Sequence, residues 1–188
     1  MIDTAVYDAC VLYSASLRDF LLRLGNAELV LPVWSNRIHE EWIQSLLQNR
    51  PDLSRERLER TRRKMDTEFP YSLISGFEEI IPSLHLPDPK DRHVLAVAIH
   101  AEAKYIVTFN LKDFPKTALA PYQVEAILPD NFVSRVIKYD AGTFLTTVAQ
   151  HRVSLTRPPK SAEEYLATLE KQGLYQTVKF LREHKSEI

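Results

Sequence analysis

The chain has one cysteine, Cys10, in 188 residues, which excludes an internal disulfide. It has no basic segment ahead of its first apolar run, so MIDTAVYDACVLY reads as an opening strand and not as a signal peptide. Together these absences point to a reducing cytoplasm. No apolar stretch approaches the roughly 18 residues that a membrane span requires, so no membrane association is expected. An excess of either charge is missing too: 24 Lys and Arg stand against 25 Asp and Glu, for a net charge of −1. Overall charge therefore gives no support to nucleic-acid binding, which only a local cluster could provide. Cys10 lies in an apolar stretch with no histidine close by in sequence, the setting of a packing residue and not of a reactive thiol.

What is present is an ordinary globular composition, 45% apolar and 26% charged. The length suits one domain with a real core and a small appendage. Strands are expected at Val6–Tyr13, Leu29–Trp34, Glu78–Ile81, Lys104–Thr108 and Val124–Leu128. Helices fall between them, capped at Ser14 or Ser16, at Ser35, at Ser54 and at Asp88. Strands alternating with helices imply an α/β fold with a parallel sheet. From about Asp140 onward the pattern is helical only, broken at Arg157–Lys160, capped again at Ser161 and stopped at Gly173.

Carboxylates recur near the ends of the apolar runs: Asp8, Glu41, Asp88 with Asp91, and Asp113. In open parallel sheets, ligands sit outside the carboxyl ends of the strands. Acids gathered there repel and raise one another's pKa, a penalty that Mg²⁺ or Mn²⁺ removes through hard oxygen ligation. Each acid also has a local explanation. Asp88, Pro89 and Asp91 fit the N-cap, N1 and N3 positions of a helix. Glu40 and Glu41 suit a solvated helix face, and Asp113 a turn before Phe114-Pro115. Asp8 is different, because a carboxylate in so apolar a strand needs a partner or an ion. A receiver-like phosphoacceptor domain would need an acidic pair after the first strand, and none follows. A D-x-D phosphatase is excluded because Ala9-Cys10 follows Asp8. Arg50 to Lys64 holds seven basic and three acidic residues. Arg55, Arg62, Arg63 and Lys64 are the candidates there for RNA-backbone contact. The competing reading is a salt-bridged helix surface, with Glu56 four before Arg60 and Glu59 four before Arg63.

In register, these pieces resemble a known family. VYDACVL, Ser35-x-x-Ile38-x-x-Glu41, Asp91-x-x-Val94-Leu95-Ala96-x-Ala98 and Ile106-Val107-Thr108-x-Asn110-x-x-Asp113-Phe114 are similar to the PIN-domain ribonucleases, above all the VapC-type toxins of toxin–antitoxin pairs. The resemblance runs over about residues 4 to 138. It implies a three-layer α/β/α sandwich for residues 1–138, with 139–188 as a C-terminal helical extension like that of a longer subgroup. It implies a Mg²⁺- or Mn²⁺-dependent endoribonuclease with catalytic and metal-binding acids at Asp8, Glu41, Asp91 and Asp113. Asn110 competes with Asp113 for the fourth place; Asp88 and Thr108 are accessory. RNA substrate, a cognate antitoxin and a homodimer are the partners it implies. Ala9 and Cys10 depart from the Thr/Ser and Asn that the family often carries after its first Asp. The alternative is a PIN domain with weak or no catalysis that binds RNA or protein as a module.

Overall fold

The computed structural model describes residues 2–188, which divide into two compact units. One comprises Asp3–Tyr13 with Leu31–Ile127 and carries the sheet. Its elements are β1 (Thr4–Tyr7), α1 (Ala9–Tyr13), β2 (Leu31–Ser35), α3 (Asn36–Asn49), α4 (Arg55–Glu68), β3 (Leu73–Ile74), α5 (Arg92–His100), β4 (Tyr105–Val107), α6 (Lys116–Leu119) and β5 (Glu125–Ile127). The other contains α2 (Ala15–Asn26) together with α7 (Pro129–Tyr139), α8 (Ala141–Ser154), α9 (Ala162–Lys171) and α10 (Tyr175–Glu183).

All strands are parallel, in the order β3-β2-β1-β4-β5, with Val6 of the central strand opposite Val33 on one side and Ile106 on the other. Parallel strands covered on both faces read as continuous apolar runs. Ala5, Val6, Tyr7, Val33, Ile106 and Val107 are accordingly buried, and α5 packs on β1 and β4 through its Val94-Leu95-Ala96-Val97-Ala98 run.

Two expected strands are corrected. The run Val6–Tyr13 is a strand only to Tyr7. The Asp8 carbonyl then accepts from the amides of Val11 and Leu12, and its side-chain Oδ1 accepts from the Ala9 amide at 2.7 Å, which starts α1. A short apolar run does not distinguish a buried strand from a buried helix, and Val11 and Leu12 are buried in helical form. Glu78–Ile81 is part of a 3₁₀ turn, Glu78–Ser83, that holds Pro82. The edge strand is Leu73–Ile74, pairing with Trp34 and Ser35.

Beneath α3 lies a polar chain within the core. The Trp42 indole donates to His39 Nδ1 at 3.0 Å, so His39 Nε2 carries the proton and donates to Asp66 Oδ1 at 2.9 Å, where the Trp34 indole also donates. Burial holds His39 below the usual imidazole value, outweighing the raising effect of Asp66. A depressed folded pKa means that stability is full above about pH 6.5 and is lost as pH falls through the lower folded value. His39→Gln keeps a donor for Asp66 but does not titrate. Its stability deficit against wild type, read from urea midpoints, should shrink between pH 7.5 and pH 5.5. A deficit that stays constant across that range overturns the argument.

In the helical unit, His151 is buried and bonded at both nitrogens: Nδ1 to the Tyr165 hydroxyl at 2.9 Å and Nε2 to Asp19 at 3.0 Å. Phe20 packs edge-on to Phe144. Ser161 and Glu164 form a reciprocal cap for α9, and Gly173 follows α9 in a left-handed conformation. Among the described residues no helix is long and apolar enough to cross a membrane.

Candidate active site

The site forms where β1 and β4 end side by side. Asp8 follows Tyr7, its amide bonded to the Val107 carbonyl, and Thr108 follows Val107 on the neighbouring strand. The buried Thr108 hydroxyl donates to Asp8 Oδ2 at 2.7 Å. The Cys10 thiol donates to the same oxygen at 3.2 Å and receives the Phe109 amide at 3.3 Å. Burial, with Asp8 adding to it, pushes the Cys10 thiol up to about 12, so it remains a protonated donor at neutral pH. Cys10 therefore bonds Asp8 directly, a role that neither a packing residue nor a reactive thiol describes.

Asp88 and Asp91 separate into different jobs. The Asp88 carboxylate caps a 3₁₀ turn, Pro89–Asp91, by accepting from the Lys90 amide at 2.8 Å. Asp91 stands immediately before α5 and makes no side-chain capping bond. Its carboxyl is pushed up to about 6, first by burial and then by the negative charges of Asp8, Asp88, Asp113 and Glu41. One side chain thus registers all the other candidate acids, which the chain brings from four separate stretches to one place.

Glu40 and Glu41 also part company. Glu40 pairs with Arg55 of α4 at 2.8 Å. Glu41 Oε1 instead lies 3.5 Å from Arg37 Nε and 2.8 Å from Nε2 of His93, in the first turn of α5. His93 is a member of this neighbourhood that its place inside an apolar helical run had hidden. Asp113 lies in a 3₁₀ turn, Leu111–Asp113, and the Asn110 side-chain amide donates to its Oδ2. Asn110 and Asp113, the two candidates for the fourth place, are thus bonded to each other.

Among the described residues no group of three or more His, Cys, Asp or Glu side chains is arranged to hold a metal ion as it stands. The donor chemistry nevertheless fits a hard divalent cation. Every acid offers carboxylate oxygen, and the repulsion recorded at Asp91 is the kind that a cation relieves. Beside Glu41 opens a cavity of about 400 Å³ lined by Ala9, Cys10, Tyr13, Glu41, Trp42 and Ser45.

The basic helix α4 is largely self-paired. Arg55 bonds Glu40 and Glu59, Arg62 bonds Glu59 and the Asn36 side chain, Arg60 pairs with Glu56, and Lys64 lies 3.9 Å from Glu68. Glu59, expected opposite Arg63, serves Arg55 and Arg62 instead.

The profile of the family described as "PIN domain" matches residues 1–112, and that of the "VapC50 C-terminal domain" matches residues 129–183. A Mycobacterium tuberculosis protein named "Putative ribonuclease VapC50" is 48% identical over 58 residues, covering 31% of this chain and 34% of that protein. The match thus spans about a third of the length of that curated relative. No solved structure matches at a significant level. A parallel sheet with acids gathered at its carboxyl edge, and a family match that covers more than half of the residues, lead to one conclusion: this chain belongs to the PIN-domain family.

Proposed function

We propose that the chain is an endoribonuclease dependent on Mg²⁺ or Mn²⁺, acting as the toxin of a toxin–antitoxin pair. The observation that carries this reading is Asp91, whose carboxyl is lifted by burial and by four other acids at a sheet edge. The likeness of residues 129–183 to the VapC50 C-terminal domain supports the toxin part. Asp8, Asp91 and Asp113 would hold the ion, with Glu41 joining directly or through water. When bound, the cation supplies Lewis-acid chemistry, making water more acidic and offsetting negative charge at phosphorus.

The chain's own groups do the rest. Thr108 and Cys10 fix Asp8 by donating to its Oδ2. Asn110 steadies Asp113. Glu41 accepts the proton of the attacking water as general base. The water oxygen bonds to phosphorus, the bond from phosphorus to the 3′ oxygen breaks, and that oxygen takes a proton from solvent. The products are a 5′-phosphate and a 3′-hydroxyl. Asp88 adds negative charge to the cluster, while Arg55 and Lys64 can exchange exposed ion pairs for RNA phosphates at little cost, with Arg62 and Arg63 on the same helix. A cognate antitoxin and a second copy of the chain are the protein partners in this reading.

The test is cleavage of single-stranded and structured RNAs by the full chain during a Mn²⁺ titration, with the new ends mapped. Cleavage that needs the ion, leaves 5′-phosphates and disappears in Asp8→Ala is the expected result. RNA bound but uncut at every Mn²⁺ concentration would sink the nuclease reading and leave a binding module. That second reading draws on the absence, among the described residues, of a ready-made three-residue metal group.

A further inference from the structure

His93 is 0% exposed, and among the described residues neither of its ring nitrogens has a hydrogen-bond partner. A buried polar group left without a partner is destabilising, so its presence calls for an explanation. Its Nε2 nevertheless lies 2.8 Å from Glu41 Oε1, within bonding distance but out of line for a bond. Arg37 Nε approaches the same oxygen from α3 at 3.5 Å. Both donors therefore address Oε1. The first turn of α5 follows directly on Asp91 and contains His93, so one stretch of backbone sets both an acid of the cluster and the group that meets Glu41. Carboxylates that ligate metals are commonly held in this way, one oxygen bonded to a neighbouring donor and the other given to the ion.

We infer that His93 is a positioning residue for Glu41: its Nε2–H holds Oε1 so that the other oxygen is left to serve the cation site, toward the ion or its water. In the loaded site Glu41 would present Oε1 in line with the imidazole, which would then have its missing partner. This inference rests on the reading of the site as a cation-dependent nuclease. A histidine that merely fills the core makes the opposite forecast. Replaced by a ring of similar volume without polar atoms, it would leave ion binding untouched.

The experiment measures Mn²⁺ affinity of the full chain by calorimetry, alongside its melting temperature and its cleavage kinetics. His93→Phe should melt at or above the wild-type temperature, having shed two unsatisfied nitrogens, yet bind Mn²⁺ about 10- to 100-fold more weakly. Its kcat should fall while KM for RNA holds, because His93 touches no RNA. His93→Gln, whose amide can reach as Nε2 does, should recover most of the affinity, and the shorter His93→Asn should not. If His93→Phe does not fold, the Gln and Asn pair carries the comparison. Wild-type Mn²⁺ affinity in His93→Phe, or in both His93→Gln and His93→Asn, overturns the positioning role and leaves the nuclease reading intact. A wild-type chain that neither binds Mn²⁺ nor cleaves RNA overturns both.

Discussion

Asp91→Asn is expected to lower RNA cleavage by about 10²- to 10³-fold while making the ion-free protein more stable. The two effects share one cause. In the fold, Asp91 is half-buried among Asp8, Asp88, Asp113 and Glu41, and its carboxyl rises from 3.8 to about 6. A raised folded pKa means that nothing is lost below about pH 3.8, where the group is protonated in both states. Stability then declines as pH rises through about 6, and the deficit persists above it. Asparagine keeps the shape and removes the charge. With chelator present at pH 7.5, the variant should melt higher than wild type by about 2–4 °C, roughly 1 kcal/mol once solvent screening is allowed for. The gap should close toward pH 4. Added Mn²⁺ should raise the melting temperature of wild type and leave that of the variant nearly unchanged. A variant that melts lower than wild type in chelator at pH 7.5 contradicts the repulsion argument outright. This dependence runs opposite to that of His39, which weakens the fold on acidification, so each must be read as a difference between wild type and variant.

Asp130→Ala is expected to cost about 3–5 kcal/mol, the largest loss of stability among single polar substitutions in the helical unit. Asp130 is only 8% exposed and sits in the first turn of α7. Its carboxylate accepts from the Gln176 amide at 2.7 Å, the Thr177 amide at 2.9 Å and the Thr177 hydroxyl at 2.8 Å. These amides belong to the first turn of α10, a helix whose own N-cap residue, Leu174, supplies no side-chain bond. Asp130 thus does for α10, from a distant point in the chain, what a local Ser or Asp does for other helices. Alanine leaves three donors unpaired, two of them on buried Thr177. Asparagine retains one acceptor oxygen and should cost roughly half as much. Urea unfolding reads both values, and early proteolysis between α9 and α10 in Asp130→Ala locates the damage. A loss under about 1 kcal/mol for Asp130→Ala would show that the cap is redundant.

The central strands were legible because they are buried on both faces, so Tyr105–Val107 announces itself as an apolar, β-prone run. The end of β1 was not, because the apolar character of VYDACVL continues into α1 and only the bonding of Asp8 stops the strand. β3 is two residues long, too short to carry a pattern. Among the candidate acids, spacing alone could not divide Asp88 from Asp91, since both fit a cap. Backbone geometry gives the cap to Asp88 and leaves Asp91 for the cluster. Glu41 lies mid-helix, and only its tertiary partner on α5 sets it apart from Glu40. His93 was hidden because a histidine inside HVLAVAI has the periodicity of core. Asp130 was hidden because an acid after a helix-opening proline already has a local explanation.

The position of α2 also bears on how this chain can be divided. Leu17, Phe20, Leu21 and Leu24 are buried in a unit completed only by helices more than a hundred residues later. Phe20 meets Phe144, and Asp19 meets His151. A gene shortened ahead of α8 would keep every candidate acid yet leave α2 with a bare apolar stripe. The shortened product would be prone to aggregate, with its chemistry intact but no soluble body to carry it. Modularity here follows the packing and not the order of the residues: the later helices and an early one belong to one compact unit, and the chain leaves that unit and returns to it.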